Sequence, residues 1–577
     1  MVDNSIMDKA KLWLESPVMD DDSRSEIKSL MEKEDSTELV DAFYQDLAFG
    51  TGGLRGIMGV GSNRMNRYTV GKATQGLSNF LKKTYLGQSI KVAVAYDSRN
   101  NNKFFADVTA SVLTSNGIEV YLFEDLRPTP ELSFAVRHLG CQGGIVITAS
   151  HNPKEYNGYK VYGNDGAQVV APHDQQIMDE VNSISSLSEI KFDKDESKVH
   201  ILGEEIDRAY LEQVKTLSLS GEEIARQKDL KIVFTPIHGT GITLVPKALE
   251  AVGFENIHVV EEQAEPDGNF STVPYPNPEE RAAMKLGLER AQAIDADILF
   301  ATDPDADRIG VGLKNNKGEW ELLNGNQTAA LLTYYLINRW KELGKLTGKE
   351  YIVYTIVTSD ILGKIAEAYD VEHSTTLTGF KFIAEVIREL EGKKTFIGGG
   401  EESYGFLVGD FVRDKDAVSA CLMFAEMTAY YKDKGLSIFD MLEEMYRKFG
   451  FYYEELVSLT EKGKAGQEAI QKRMKDMREK PFEVLNGEKV VEFIDYKSGE
   501  LKNLQTGENQ KLAYPSSNVL QFITESGTKV SVRPSGTEPK IKFYFSVNSE
   551  FEQSSSFEDK LDSLKVKIKD LKSDMNL

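Results

Sequence analysis

Two short stretches of the chain carry side chains whose types and spacing suit chemistry. In Thr148-Ala149-Ser150-His151-Asn152-Pro153 a hydroxyl, an imidazole and an amide share one turn. Ile145-Val146-Ile147 before it is apolar and β-branched, the pattern of a buried strand, and Pro153 cannot continue a ladder. Ser150 therefore stands at the carboxyl end of a strand, where open α/β sheets place their ligands. Lys160 follows closely, in Asn157-Gly158-Tyr159-Lys160. Most such turns are only polar connections, since Ser and Asn dominate turns anyway, so the weight falls on what accompanies this one.

The second stretch is Thr302-Asp303-Pro304-Asp305-Ala306-Asp307-Arg308, again behind an apolar strand at 296–301. Alternating Asp303, Asp305 and Asp307 can converge as a hard oxygen cage suited to Mg²⁺. A calcium EF-hand begins with the same alternation, but its sixth position would be Arg308 instead of Gly and its twelfth Lys314 instead of Glu. Three carboxylates behind a buried strand repel one another without a cation. Three further loops could bind anions or sugar hydroxyls. Gly50-Thr51-Gly52-Gly53-Leu54-Arg55 offers backbone N–H groups and a guanidinium. Gly400-Glu401-Glu402-Ser403 offers acceptors to hydroxyls, with Lys415 shortly after in Arg413-Asp414-Lys415-Asp416. Arg533-Pro534-Ser535-Gly536-Thr537 could grasp a phosphate dianion.

The elements that must position these loops alternate. Strands at 92–96, 118–123 and 145–147 enclose helices at 103–115 and 132–138, which predicts a largely parallel, wound α/β sheet. A second βα series runs from 230 to 301, and a third from 352 to 397. After 450 the character changes to a charged helix at 456–477 and short strands, and helix 557–571 closes the chain. Helices at 9–14 and 23–31 read as a cap on the first domain. At 577 residues the chain is long enough for about four domains. A net charge of -23 disfavours nucleic acid and anionic membrane as partners, so a phosphorylated substrate needs a local basic cluster or a metal. The two cysteines, Cys141 and Cys421, fit a reducing compartment. The amino terminus has no signal-peptide pattern and no apolar run reaches a membrane span. A cytoplasmic location is expected.

The serine block resembles the active-serine loop of the α-D-phosphohexomutases, the phosphoglucomutase and phosphomannomutase superfamily, in which the serine carries a phosphoryl group. The resemblance covers nearly the whole chain, in the family's order. Gly50 to Gly56 resembles the loop whose arginine contacts the phosphoserine, and Gly400-Glu401-Glu402-Ser403 matches the sugar loop Gly-Glu-x-Ser. Arg533 to Pro539 resembles the carboxyl-terminal phosphate-binding loop.

The resemblance implies four domains around a central cleft: 1–200, including amino-terminal helices within 1–40, then 201–322 and 323–449, all α/β, and an α+β domain at 450–577. It implies interconversion of glucose 1-phosphate and glucose 6-phosphate through phosphoserine, with glucose 1,6-bisphosphate as intermediate and activator. Mg²⁺ would be held by Ser150, Asp303, Asp305 and Asp307. Arg55 and Arg308 would contact the transferring group, and His151 and Lys160 would handle protons. Thr378, Gly379, Lys381, Glu401, Ser403, Lys415, Arg533, Ser535, Gly536 and Thr537 would bind substrate. The expected partner is thus a small sugar phosphate, with either a monomer or a homodimer compatible. Thr378-Gly379-Phe380-Lys381-Phe382 looks like the Thr-Gly-Trp-Lys-Phe of glucose mutases, and it lacks the His of dual-specificity phosphomannomutases. The same stretch also resembles the phosphopentomutase and glucose-1,6-bisphosphate synthase branch. Pentose is therefore the second expectation, ahead of mannose. A non-catalytic sugar-phosphate-binding relative and a phosphatase are also compatible with these loops.

Overall fold

The strand ahead of Ser150 lies inside a six-stranded sheet. In the computed structural model, which describes residues 3–50, 52–461, 463–535 and 540–577 with backbone alone at 463–465, this sheet contains six strands. They are β1 (Gly53–Ile57), β2 (Lys91–Tyr96), β3 (Glu119–Phe123), β4 (Gly143–Ile147), β5 (Tyr156–Gly163) and β6 (Val199–Leu202). Their order is β1-β5-β4-β2-β3-β6. Pairing is parallel from β4 through β2 and β3 to β6. The other two strands depart from the wound pattern, for β5 runs antiparallel to β4, and β1 antiparallel to β5. The reason is the loop at 148–155, which is too short for the crossover that a parallel partner requires. Val92, Val94, Ile145 and Ile147 are fully buried, and Phe105 and Leu113 of the helix Asn102–Ser115 join the same core. Each such side chain contributes roughly 1.5–3 kcal/mol of burial, so the serine loop springs from a fully buried strand of this sheet.

A second sheet is built from β7 (Ile232–Thr235), β8 (Ile257–Val259), β9 (Ile298–Thr302), β10 (Ile309–Lys314) and β11 (Trp320–Leu323), in the order β11-β10-β9-β7-β8. β9 is buried along its length and parallel to β7, while β10 returns antiparallel to it with Ile309 opposite Thr302. The aspartate stretch is thus the tight connection of an antiparallel pair, and Ala306 takes a left-handed φ of 50° there. The helix Ala417–Asp433 is apolar on every side and buried from Ala417 to Tyr431, as a helix inside a core must be. Its amino-terminal cap is Asp416, which accepts from the backbone of Val418 and Ser419. At the amino terminus there are three short helices, Asn4–Glu15, Asp21–Glu32 and Thr37–Phe43, one more than the sequence pattern shows.

The chain divides into two compact units. One takes the residues up to Gly325 with Phe380–Gly398 and Ser403–Gly435; the other takes Asn326–Gly379, Gly399–Glu402 and Leu436–Leu577. In the second unit, Glu350–Thr355 pairs in parallel with Glu372–Thr376. A separate eight-stranded sheet, antiparallel throughout, has Phe451–Thr460 at one edge paired with Lys540–Ser549, which pairs in turn with Lys529–Pro534. Among the described residues no helix is long and apolar enough to cross a membrane.

Candidate active site

Ser150 is held in place by its neighbours on two strands. Parallel pairing of β2 and β4 brings Asp97, at the end of one, beside Thr148, at the end of the other. The Thr148 hydroxyl donates to Asp97 Oδ2 at 2.5 Å and accepts from the Ser150 N–H at 2.7 Å. That turn forces Ser150 to a φ of 50°, a conformation few residues other than glycine adopt. The Arg99 guanidinium then grips the loop from below. It donates to the carbonyls of Pro153 at 2.8 Å and Tyr156 at 3.0 Å, and to those of Ser150 and Asn152. Phe270 lies against its face, 5.0 Å from ring centroid to guanidinium carbon. Burial lifts the Asp97 carboxyl to about 6, although Arg99 and the Thr148 hydroxyl pull it down. Gly158 is required by close approach, since a Cβ there would lie 2.3 Å from the Thr148 carbonyl oxygen.

The Ser150 hydroxyl donates to Asp303 Oδ2 at 2.6 Å and lies 3.2 Å from His151 Nδ1. Asp303, Asp305 and Asp307 are all buried, with one carboxylate oxygen of each within 4.8 Å of the others. Every one of the three has an oxygen tied by protein donors. Asp303 Oδ1 accepts from the backbone N–H of Asp307 and Arg308, both at 3.1 Å. Asp305 Oδ2 accepts from Lys160 Nζ at 2.7 Å and the Thr129 hydroxyl at 2.8 Å. Asp307 Oδ2 takes Lys160 at 3.3 Å and Lys415 at 3.1 Å. The remaining oxygens of Asp305 and Asp307 (both Oδ1) are buried without a hydrogen-bond partner among the described residues. Buried acceptors are left unpaired only at a cost. Two orphaned carboxylate oxygens in a cluster whose third member, Asp303, takes the serine hydroxyl make a donor set of hard oxygens that fits Mg²⁺.

Charge is distributed unevenly over the cluster. Burial, then the charges of Asp305 and Asp307, push the Asp303 carboxyl well above its usual range. Burial and Asp307 push Asp305 the same way, but Lys160 outweighs them and leaves it below the ordinary value. Asp307 is held below that value against burial by Lys415, Lys160 and Arg308. Burial lowers Lys160, and Asp305 and Asp307 more than restore it, so this ammonium stays charged. The mutual repulsion that sequence alone suggests is therefore answered in part by two lysines, and the orphaned oxygens are the stronger sign of a cation. Lys415 reaches the cluster because Gly405 leaves room for its stem, where a Cβ would lie 2.0 Å from Lys415 Cδ. Arg308 donates to Glu279 at 2.7 Å and lies 3.9 Å from Asp307.

Eight of the expected residues thus stand together: Ser150, His151, Lys160, Asp303, Asp305, Asp307, Arg308 and Lys415. Arg55 is exposed on β1, opposite Gly158 on the strand that carries Lys160. In the second unit the Glu401 carboxylate accepts from the Gly379 N–H at 2.9 Å, joining two predicted sugar contacts, and the buried Thr378 hydroxyl has no hydrogen-bond partner among the described residues. Glu402 beside it is raised to about 7 by burial and by Glu401, with Lys542 and Arg533 pulling it down. In the first unit burial lowers Lys381, whose ammonium lies 5.1 Å from the Phe382 ring centroid, and Ser403 is half-buried. Arg533 is half-buried at the end of its strand, and the Ser535 N–H donates to the Lys540 carbonyl at 2.7 Å. Gly536 and Thr537 lie outside the described residues. Asp97 and Arg99 are supporting residues to which the sequence pattern gave no role. Asp97-Ser98-Arg99 at the end of the strand next to the serine strand was the available signal.

A serine and three aspartates at the ends of two α/β sheets are accompanied by matches to three family models. These are the phosphoglucomutase/phosphomannomutase α/β/α domains I, II and III, over residues 46–188, 208–318 and 324–449. The chain belongs to the phosphoglucomutase/phosphomannomutase family. The phosphoglucomutase of Staphylococcus haemolyticus is 37% identical to it over 532 residues, covering 91% of this chain and 95% of the relative. That of Staphylococcus aureus is 36% identical over 544 residues, covering 94% and 96%. In fold the chain is similar to the solved phosphoglucomutase pp63/parafusin from Paramecium, with a TM-score of 0.68 at 20% identity, covering 92% of this chain and 95% of that one.

Proposed function

We propose that the protein interconverts glucose 1-phosphate and glucose 6-phosphate, with Ser150 carrying the phosphoryl group and glucose 1,6-bisphosphate formed on the way. The observation that carries this reading is the Ser150 hydroxyl, buried 2.6 Å from Asp303 within a carboxylate cluster that has two orphaned oxygens. The names of the full-length relatives support glucose as the sugar.

Direct transfer between two hydroxyls of one sugar cannot bring both oxygens in line with one phosphorus, so a covalent carrier divides it into two transfers. In the first, the bond from phosphorus to Ser150 Oγ breaks as one to the free sugar hydroxyl forms; that hydroxyl loses its proton and Ser150 Oγ gains one. In the second, the bond from the other phosphorus to its sugar oxygen breaks as one to Ser150 Oγ forms; the serine hydroxyl loses its proton and the sugar oxygen gains one. Asp303, Asp305, Asp307 and the serine oxygen would hold Mg²⁺, which neutralises charge on the transferring group. The fixed loop keeps Ser150 Oγ at one position through both transfers. Arg308 and Arg55 supply charge-assisted hydrogen bonds to the phosphoryl oxygens. His151, adjacent to the serine oxygen, and Lys160 are assigned to proton handling. Thr378, Gly379, Lys381, Glu401, Ser403, Lys415, Arg533, Ser535, Gly536 and Thr537 are assigned to substrate binding, with Arg533, Ser535, Gly536 and Thr537 as the phosphate grip. The division into domains at 200, 322 and 449, and a cytoplasmic location, belong to the same reading.

Incubating the protein with Mg²⁺, glucose 1-phosphate and a trace of glucose 1,6-bisphosphate should yield glucose 6-phosphate, and Ser150→Ala should abolish the conversion. Mannose 1-phosphate and ribose 1-phosphate run in parallel. Faster turnover of either would reassign the sugar, net release of inorganic phosphate would indicate a phosphatase, and no turnover of any would leave a binding protein.

A further inference from the structure

The helix Thr129–His138 begins with two hydrogen bonds to one aspartate of the cluster, 176 residues away in sequence. The Thr129 N–H donates to the Asp305 carbonyl at 2.9 Å, and its hydroxyl donates to Asp305 Oδ2 at 2.8 Å. Thr129 is fully buried, and Pro128 and Pro130 stiffen the backbone on both sides of it. Lys160 takes the same carboxylate oxygen from another direction. A carboxylate with two donors on one oxygen cannot rotate without breaking both bonds, so its other oxygen has a fixed direction. That other oxygen, Asp305 Oδ1, is the orphaned one.

We infer that Thr129 is a positioning residue for cation binding. Its hydroxyl fixes the Asp305 carboxylate so that a single oxygen, Oδ1, is presented to the divalent cation. Lys160 alone would leave the carboxylate free to turn about one bond, because an ammonium on a flexible stem follows its partner. The threonine hydroxyl is set by the first turn of a buried helix and does not follow. The inference rests on the reading of the aspartate cluster as a cation site, and it assigns a role to a residue from the first sheet's helices in a site formed by the second sheet's loop.

The test is Mn²⁺ titration of the full chain by calorimetry after stripping with EDTA, with no substrate present. Residues that orient a metal's ligands typically weaken binding about 10–100-fold when removed, so Thr129→Val and Thr129→Ala should each raise the Mn²⁺ dissociation constant roughly tenfold or more. Thr129→Ser, which keeps the hydroxyl, should bind close to the wild type. The melting temperature in EDTA and the KM for sugar phosphate should change little in any of them. Wild-type affinity in the valine and alanine variants would overturn the inference, as would loss of folding in both, which would make the hydroxyl a structural group. Failure of the wild type to bind Mn²⁺ would instead sink the cation reading beneath it.

Discussion

At the level of single residues, Lys160 carries the clearest consequence of the geometry. Its ammonium bridges Asp305 and Asp307, at 2.7 and 3.3 Å, so it offsets the repulsion between two carboxylates and competes with a cation for them. Replacing it with methionine keeps the length and removes the charge. Two outcomes should follow together: kcat should fall about 10²-fold or more if the residue handles protons, and Mn²⁺ should bind several-fold more tightly because the carboxylates have lost a competing cation. Steady-state kinetics and calorimetry read the two separately. A fall in kcat with weakened Mn²⁺ binding would show instead that Lys160 organises the cluster. Ser150 and the three aspartates were legible because each group is contiguous and follows an apolar strand. The partners of Lys160 were not, since they arise from the antiparallel return of β5, which the alternation of strands and helices does not announce.

At the level of elements, the serine loop depends on the adjacent strand as much as on its own. Asp97 and Arg99 come from the end of β2, and the guanidinium spans four backbone carbonyls of the loop. Lysine offers the same charge without the planar fork, and it cannot reach carbonyls so far apart. Arg99→Lys should therefore lower kcat at least tenfold, about 1.4 kcal/mol, with the KM for sugar phosphate nearly unchanged, because the loop's shape alters and the sugar contacts do not. An altered KM with full kcat would place Arg99 in substrate binding. Such a residue is hard to read from sequence, where Asp97-Ser98-Arg99 is an ordinary polar strand end; only the parallel register of β2 with β4 turns it towards Ser150. By contrast, the apolar runs at 145–147 and 296–301 mark their strands to within two residues at either end, because a strand buried on both faces reads as a continuous apolar run.

At the level of the whole molecule, the two compact units carry different titrations. The aspartate cluster belongs to the first, and Glu402 to the second. A cation that binds only folded protein stabilises it by RT ln(1 + [L]/Kd), about 2.7 kcal/mol at a hundredfold excess over Kd. For a unit of this size that raises the transition by no more than a few degrees. Calorimetry should thus show an Mg²⁺-dependent shift in the transition of the first unit and none in that of the second. A single transition moving as a whole would mean that the units unfold together. The second unit should also respond to pH, through Glu402, as the first does through Asp97. Glu402 keeps its proton to about 7 when folded, against an ordinary 4.5. Between those values the folded state binds more protons than the unfolded one, so stability falls as pH rises from 4.5 towards 7 and levels off above. Glu402→Gln should reduce that slope to the part contributed by Glu454, which burial also raises to about 7, while leaving the Mg²⁺ shift intact. An unchanged slope would mean that Lys542 and Arg533 already hold the carboxylate charged, and that the sugar loop carries a permanent negative charge when phosphate arrives.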